Sequence, residues 1–417
     1  MKMKNDFLLQ INLLITILLV KVPICAFAQP AYVYHEKGTK LLNEKKYIEA
    51  IAQFDIAIKT DATYFEAFID RGRCQLELGK TDLALSDLNQ AVKLNPNYAL
   101  GFYWRAKVHE KMGNDQLAIT DYSSVIKLNS NVTDAYVSRG FLYSKANQDQ
   151  LGVNDFTKAI SLDGKSAEVY FQRGVLYRKM KKDTEAMADF AKAIQIDPNM
   201  GKACGERGKL ETVQKKYDLA TADLSKAVTL NASSEEIYMM RALCYSVQNM
   251  NEEAIADYST VINLYKSKDA EVFRLRGDLF TKQKNYPAAI KDYSKALTLK
   301  KDDVAVLLSR GNCYYVQGKT KFMLAELDFK KVLELEPKNA IAARGLGKVY
   351  FDQEKWQAAV DNFTLAISNG ATSEDYLFRG KSYYKLNKKK ECCSDLNKAG
   401  ELGFTGIEKE KQLAGCQ

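Results

Sequence analysis

Histidine is almost missing from this chain: His35 and His109 are the only two among 417 residues. They stand far apart, no His-x-x-x-His pair occurs, and no Cys/His cluster or repeated acidic loop gathers the ligands that zinc or calcium requires. A glycine-rich phosphate loop and a Gly-x-Ser-x-Gly elbow are also lacking, and no cysteine has a base partner in view. The expectation is no metal, no cofactor and no enzyme. Proline is scarce, with six residues and none inside a helical pattern. Like charges do not run together: 61 Lys+Arg alternate with 52 Asp+Glu, which leaves no arm for nucleic acid. Beyond the first thirty residues no apolar stretch is long enough to span a bilayer.

Those first residues read as an export signal. Lys2 and Lys4 precede an apolar stretch from Phe7 to Val20, and Ala26-Phe27-Ala28 offers the small residues that a signal peptidase reads. Residues 1–28 are expected to be removed after Ala28, leaving a periplasmic or secreted protein with no membrane span. Cys25 falls within that leader, and Ile24 before it does not suit a lipidation site. Seven cysteines remain, an odd number, so no complete disulfide framework exists. Cys74, Cys244 and Cys313 recur at one place in their repeats and are read as small core residues.

What the chain has in abundance is a period. Arg-Gly or Arg-Ala returns every 34 or 35 residues at Arg71, Arg105, Arg139, Arg173, Arg207, Arg241, Arg276 and Arg310, and again at Arg379. A period of this size marks stacked supersecondary units. Counting so that the small residue after the arginine is the eighth gives eleven units: 31–64, 65–98, 99–132, 133–166, 167–200, 201–234, 235–269, 270–303, 304–339, 340–372 and 373–406. The twentieth position is small (Ala84, Ala118, Ala186) and the twenty-fourth large (Leu88, Tyr122, Phe190). The twenty-seventh is Ala or Val, so these three share one helix face. Ordering 34 residues costs about 50 kcal/mol, which needs about 2,000 Å² of apolar burial. One hairpin cannot hide that much.

These columns resemble the tetratricopeptide repeat family over nearly the whole chain after residue 30. The resemblance implies an all-α fold: an α-solenoid of about eleven helix-turn-helix repeats in a right-handed superhelix, with first helices lining a concave face. A last helix over residues 407–417 is expected to cap the stack.

The repeats contain an internal covariation. Arg holds the seventh position in nine units, and Asp holds the twenty-third in those same nine. Lys37 pairs with Gln53, and Leu346 with Asn362, where both are lost. Ion pairs Arg71–Asp87, Arg139–Asp155 and Arg173–Asp189 are therefore expected within their hairpins. At the C-terminus an antiparallel turn near Phe404 brings Cys416 toward Cys392 (or Cys393), which suggests a disulfide in an oxidising compartment.

In the resembled family, ligands touch the second, fifth, ninth, twelfth and thirteenth positions of first helices. Here those positions offer Tyr103, Val137, Phe141, Phe171, Val175, Met239, Leu243, Leu308 and Tyr315, then a basic end of Arg344, Lys348, Lys381 and Lys385. This lining suits a protein or peptide segment with apolar anchors and an acidic end. Chaperone-binding members grip a peptide C-terminus with Lys at the fifth and Asn at the ninth position. Asn312 here follows Leu308 instead, which argues against that role. The expected function is a non-catalytic exported scaffold binding protein segments, and the second reading is a self-associating structural component of the cell envelope, with homo-oligomers.

Overall fold

The computed structural model describes residues 29–416, so the expected leader over 1–28 lies outside the described residues. Among the described residues there are 23 α-helices, one short 3-10 turn and no strand. Contacts divide the chain into two compact units, one ending at Ile196 and one beginning at Asp197.

The first unit holds five hairpins. They are α1 Ala31–Asn43 with α2 Tyr47–Thr60, α3 Phe65–Glu77 with α4 Thr81–Leu94, and α5 Ala99–Lys111 with α6 Asp115–Leu128. After these come α7 Thr133–Lys145 with α8 Asp149–Leu162, and α9 Ala167–Lys179 with α10 Asp183–Ile196.

The second unit holds six hairpins and a cap. Its first three are α11 Gly201–Val213 with α12 Tyr217–Thr229, α13 Glu235–Val247 with α14 Asn251–Asn263, and α15 Ala270–Lys282 with α16 Tyr286–Leu299. Then follow α17 Val304–Val316 with α18 Phe322–Leu335, α19 Ala340–Asp352 with α20 Trp356–Gly370, and α21 Ser373–Lys385 with α22 Lys389–Glu401. The cap is α23 Ile407–Ala414.

The fifth repeat shows why each hairpin closes. Ala186, Phe190 and Ala193 lie on one face of α10 and are fully buried. A Cβ placed on Gly174 of α9 would come within 2.7 Å of the Phe190 ring, so a bare backbone there lets the two helices meet. Alanine is tolerated at the same place opposite Tyr122 and Tyr258, as Ala106 and Ala242.

All first helices but that of the ninth repeat end alike. The fifteenth residue takes a left-handed backbone: Gly79 and Gly113 (φ 74° and 76°), but also Lys45, Asn147, Lys181, Lys215 and Glu354 near 60°. In the fifth repeat the Lys182 N–H donates to the Tyr177 carbonyl (2.8 Å) and the Lys181 N–H to that of Arg178 (2.9 Å). This closure satisfies the last carbonyls of α9 and turns the chain sharply into α10.

The departures from period have local explanations. The two extra residues of the ninth repeat form the 3-10 turn Lys319–Lys321 before α18. The extra residue of the seventh falls in the loop around Lys266, which also adopts a positive φ.

Candidate functional site

Two charged faces of the repeats decide what remains for a ligand. The first is the arginine ladder. Arg173 Nε and Nη2 donate to both carboxylate oxygens of Asp189 at 2.8 and 2.7 Å. Arg71–Asp87 and Arg139–Asp155 have the same two-pronged form, at 2.6 to 2.8 Å. The third nitrogen reaches back to the preceding repeat. Nη1 of Arg139 donates to Ser123 (2.8 Å), that of Arg173 to Thr157 (3.0 Å) and that of Arg310 to Ser294 (3.0 Å).

At Arg139, Arg173, Arg241 and Arg379 two aromatic rings flank the guanidinium. Arg173 lies 5.7 Å from the ring centres of both Tyr170 and Tyr177, and Arg241 sits likewise between Tyr238 and Tyr245. Hydrogen bonding from Asp189 raises the pKa of Arg173 despite the opposing effect of burial. Each of these arginines therefore ties first helix to second and repeat to repeat. All three guanidinium nitrogens of Arg173 are thus engaged within the stack.

The second charged face is the first-helix surface. In the first unit, His35 Nε2 lies 2.9 Å from Asp70, whose other oxygen accepts from Arg73 at 2.7 Å. The Arg73 guanidinium is 4.6 Å from the Trp104 ring centre. Lys107 donates to Glu110 and Ser138.

In the second unit Lys209 bridges Glu206 and Glu236, both at 2.6 Å, and Arg274 joins Glu271 and Asp278. The expected basic end is not free. Arg344 forks onto Asp375 at 2.7 and 2.8 Å and also donates to the Gly370 carbonyl. Lys348 pairs with Glu374 and Lys381 with Glu410, each at 2.7 Å, and Lys385 sits over the Trp356 ring. A cation at the ninth position meets a carboxylate about 27 residues on, at the start of the next first helix. That spacing was present in the sequence and was not read as pairing.

Apolar side chains are what this surface leaves open. Leu243 is 42% exposed, while Phe171 is only 7% exposed and packs 5.9 Å from the Phe190 ring. Phe171 is thus a core residue and not the anchor expected of it. Phe141 stands at the exposed end of the range. Tyr103, Val137, Val175, Met239, Leu308 and Tyr315 are half-buried, and the Tyr315 hydroxyl is engaged by Asp352 at 2.8 Å. The thirteenth position adds Val213 (67% exposed), Val247 and Val316, which sequence reasoning passed over. Three valines at an exposed helix-end position are the signal that would have found them. Val213, Leu243 and Val247 fall on the ligand-type positions of two adjacent repeats.

The thiols offer no chemistry. Burial pushes Cys74 up to about 12 and raises Cys204, Cys244, Cys313 and Cys392 as well, so none is a ready nucleophile. The disulfide joins Cys416 to Cys393, not to Cys392, which remains a buried thiol beside Leu396. Cys392 and Cys393 differ by about 100° around α22. Cys393 is turned to Cys416, whereas Cys392 is buried in the cluster that Leu396 forms with Ile407 and Ala414 of the cap.

Glu211 is the odd charged group. It occupies α11 where most repeats have an aromatic ring against the arginine. It is buried, with one carboxylate oxygen lacking a hydrogen-bond partner among the described residues. Burial first, and Asp223 second, raise its pKa to about 7.

Comparison with known proteins agrees with the hairpins. A family model described as TPR repeat matches residues 72–113 and 277–318, and two described as tetratricopeptide repeat match 167–200 and 308–374. The chain belongs to the tetratricopeptide repeat family. Among curated relatives of this repeat protein is the Hsp70-Hsp90 organizing protein 3 of Arabidopsis thaliana, 26% identical over 36% of this chain and 25% of that one. Another is the human protein SGT1 homolog, 34% identical over 18% of this chain and 20% of the relative. The chain thus spans about a quarter or less of the length of these relatives. A solved tetratricopeptide repeat protein from Parabacteroides merdae aligns at a TM-score of 0.40 with 19% identity, covering 60% of this chain and 98% of that chain.

Proposed function

We propose that this repeat protein is a non-catalytic exported scaffold that holds segments of other proteins on its first-helix face through apolar anchors. The observation that carries this reading is the contrast on that face. Its cations are spent on neighbouring carboxylates and rings, while Leu243, Val213 and Val247 stay exposed on adjacent repeats. Exposed aliphatic side chains on repeats whose first-helix cation, Lys209, is held between Glu206 and Glu236 have the composition of an interface centre. It favours a segment with two or three spaced aliphatic or aromatic side chains, such as one face of an amphipathic helix. The relatives named for organising chaperones support protein binding as the general role. Export rests on the leader pattern over 1–28 and is supported by the Cys393–Cys416 disulfide, a bond at home in an oxidising compartment.

The test is site-specific photocrosslinking in the native host. A photoreactive residue replacing Leu243 is expected to give a discrete adduct with another polypeptide, lost when Val247→Glu is added. The same probe replacing Asn89, on a second helix, is expected to give none of that adduct. Equal adducts from both positions, or an adduct indifferent to Val247→Glu, would reject the assignment.

A further inference from the structure

The second helices of the first unit carry an edge that the first-helix face does not use. We propose that this edge is a homodimer interface, with two copies meeting about a two-fold axis through Leu117.

The nineteenth position of repeats one to five reads Glu49, Leu83, Leu117, Leu151, Glu185. The three leucines begin consecutive second helices and are 54%, 52% and 45% exposed. Singly exposed leucines need no explanation, but three in register at successive repeats make a continuous apolar row. The second unit has no such row. The same position there reads Leu219, Glu253, Ala288, Leu324, Ala358 and Glu391, so its two leucines stand three repeats apart and Leu324 is half-buried.

The ends of the row identify the occupant. Repeats one and five both carry two lysines followed by a glutamate three residues later: Lys45-Lys46 with Glu49, and Lys181-Lys182 with Glu185. The row is therefore a palindrome, and a two-fold axis through its centre reverses the order of repeats. Leu117 then meets its own copy, and Leu83 meets Leu151 of the second copy. Lys45 and Lys46, the latter in an exposed pair with its own Glu44 at 2.8 Å, come beside Glu185 of the second copy, and Lys181-Lys182 beside its Glu49. Apolar row and charges are satisfied by one operation, as an isologous interface requires.

Polar groups fill the band between the charged ends: Ser86, Thr120 and Asn154 are exposed one turn along their helices, Gln116 and Gln150 stand beside two of the leucines, and the opposite charges Lys80 and Asp82 flank Leu83. Of the intervening charges, Lys145 is held by Asp115 and Lys179 by Asp149. Each lysine pair has its own glutamate close in sequence, so the edge lacks the positive excess that an anionic lipid surface selects. Three leucines are small against the about 800 Å² per partner of a standard interface, so a reversible dimer is expected.

The test is sedimentation velocity on the full chain as exported, from about 1 to about 100 µM, where a dimer with a Kd in the micromolar range is expected. Leu117→Glu sets two carboxylates against each other on the axis and is expected to weaken the dimer at least ~10-fold, with the circular dichroism spectrum unchanged. Lys181→Glu with Lys182→Glu is expected to weaken it less, and adding Glu49→Lys to the same chain restores it. A monomer at about 100 µM would overturn the proposal and leave the edge to another protein. So would a dimer indifferent to Leu117→Glu, or a charge swap that Glu49→Lys fails to rescue. Crosslinking from Leu243 is independent of every one of these outcomes.

Discussion

The fifth and tenth repeats use an arginine in opposite directions. In the fifth, Arg173 sits at the seventh position, binds Asp189 within its own hairpin and reaches back to Thr157. In the tenth that place holds Leu346, and Asn362 in the facing helix turns its amide to its own backbone at Ala358. The arginine has moved to position 344 and reaches forward to Asp375, which is fully buried and also caps α21 through Thr372. One cation closes a hairpin and the other joins two hairpins. Both show that charge on these helices is consumed by the stack first. A ligand is left with whatever the stack does not need, which here is aliphatic.

Breaking each pair sharpens that comparison. Arg344→Ala leaves the fully buried Asp375 without its cation and with only Thr372 as donor, and a loss of about 3–5 kcal/mol is expected, confined to repeats ten and eleven. Hydrogen exchange read segment by segment would show it, whereas global loosening would mean that the pair does not act locally. Arg173→Ala should cost a similar amount but open the fourth and fifth repeats instead, because its third nitrogen holds Thr157.

The next effect lies at the cap. Cys416→Ser releases an eight-residue helix, too short to persist without packing, and should cost about 3 kcal/mol in protection of Ile407–Ala414. Cys392→Ser should leave the Cys393–Cys416 bond intact. Mass mapping of the cystine peptide checks the pairing directly.

Glu211 separates the sixth repeat from the fifth by its response to pH. Its folded pKa of about 7 is raised above the ordinary carboxyl value, so the folded state holds a proton that the unfolded chain has lost. The stability of the second unit should therefore fall as pH rises from about 4.5 to about 7 and level off above that, by on the order of 1–3 kcal/mol. Glu211→Gln should abolish the fall and raise Tm at pH 8. An unchanged pH profile would mean that this carboxyl is already ionised when folded. The smallest effect belongs to the turns. Lys181→Gly removes left-handed strain but loosens the unfolded chain, and a net gain of about 0.5 kcal/mol or less is expected from urea melts.

Much of this was legible in the sequence, and the exceptions share a cause. The hairpins followed from a fixed period, and the Arg173–Asp189 fork from two positions lost together in the same repeats. Contacts between repeats were harder, because their spacing belongs to no helix or strand period. The bonds from Arg139 to Ser123 and from Lys209 to Glu236 were missed for that reason. Phe171 was misplaced because the fifth position can also turn toward the facing helix, and here its ring packs on Phe190 of the same hairpin. Cys392 and Cys393 are adjacent in sequence, so only the angle around α22 distinguishes the thiol turned to Cys416 from the buried one.

The most direct measurement is the salt dependence of binding for the segment crosslinked at Leu243. Between about 50 and about 500 mM salt, Kd is expected to change by less than ~3-fold, because the first-helix cations are already neutralised. A rise of ~10-fold or more would mean that those cations leave their carboxylates to hold the ligand, which contradicts an apolar groove.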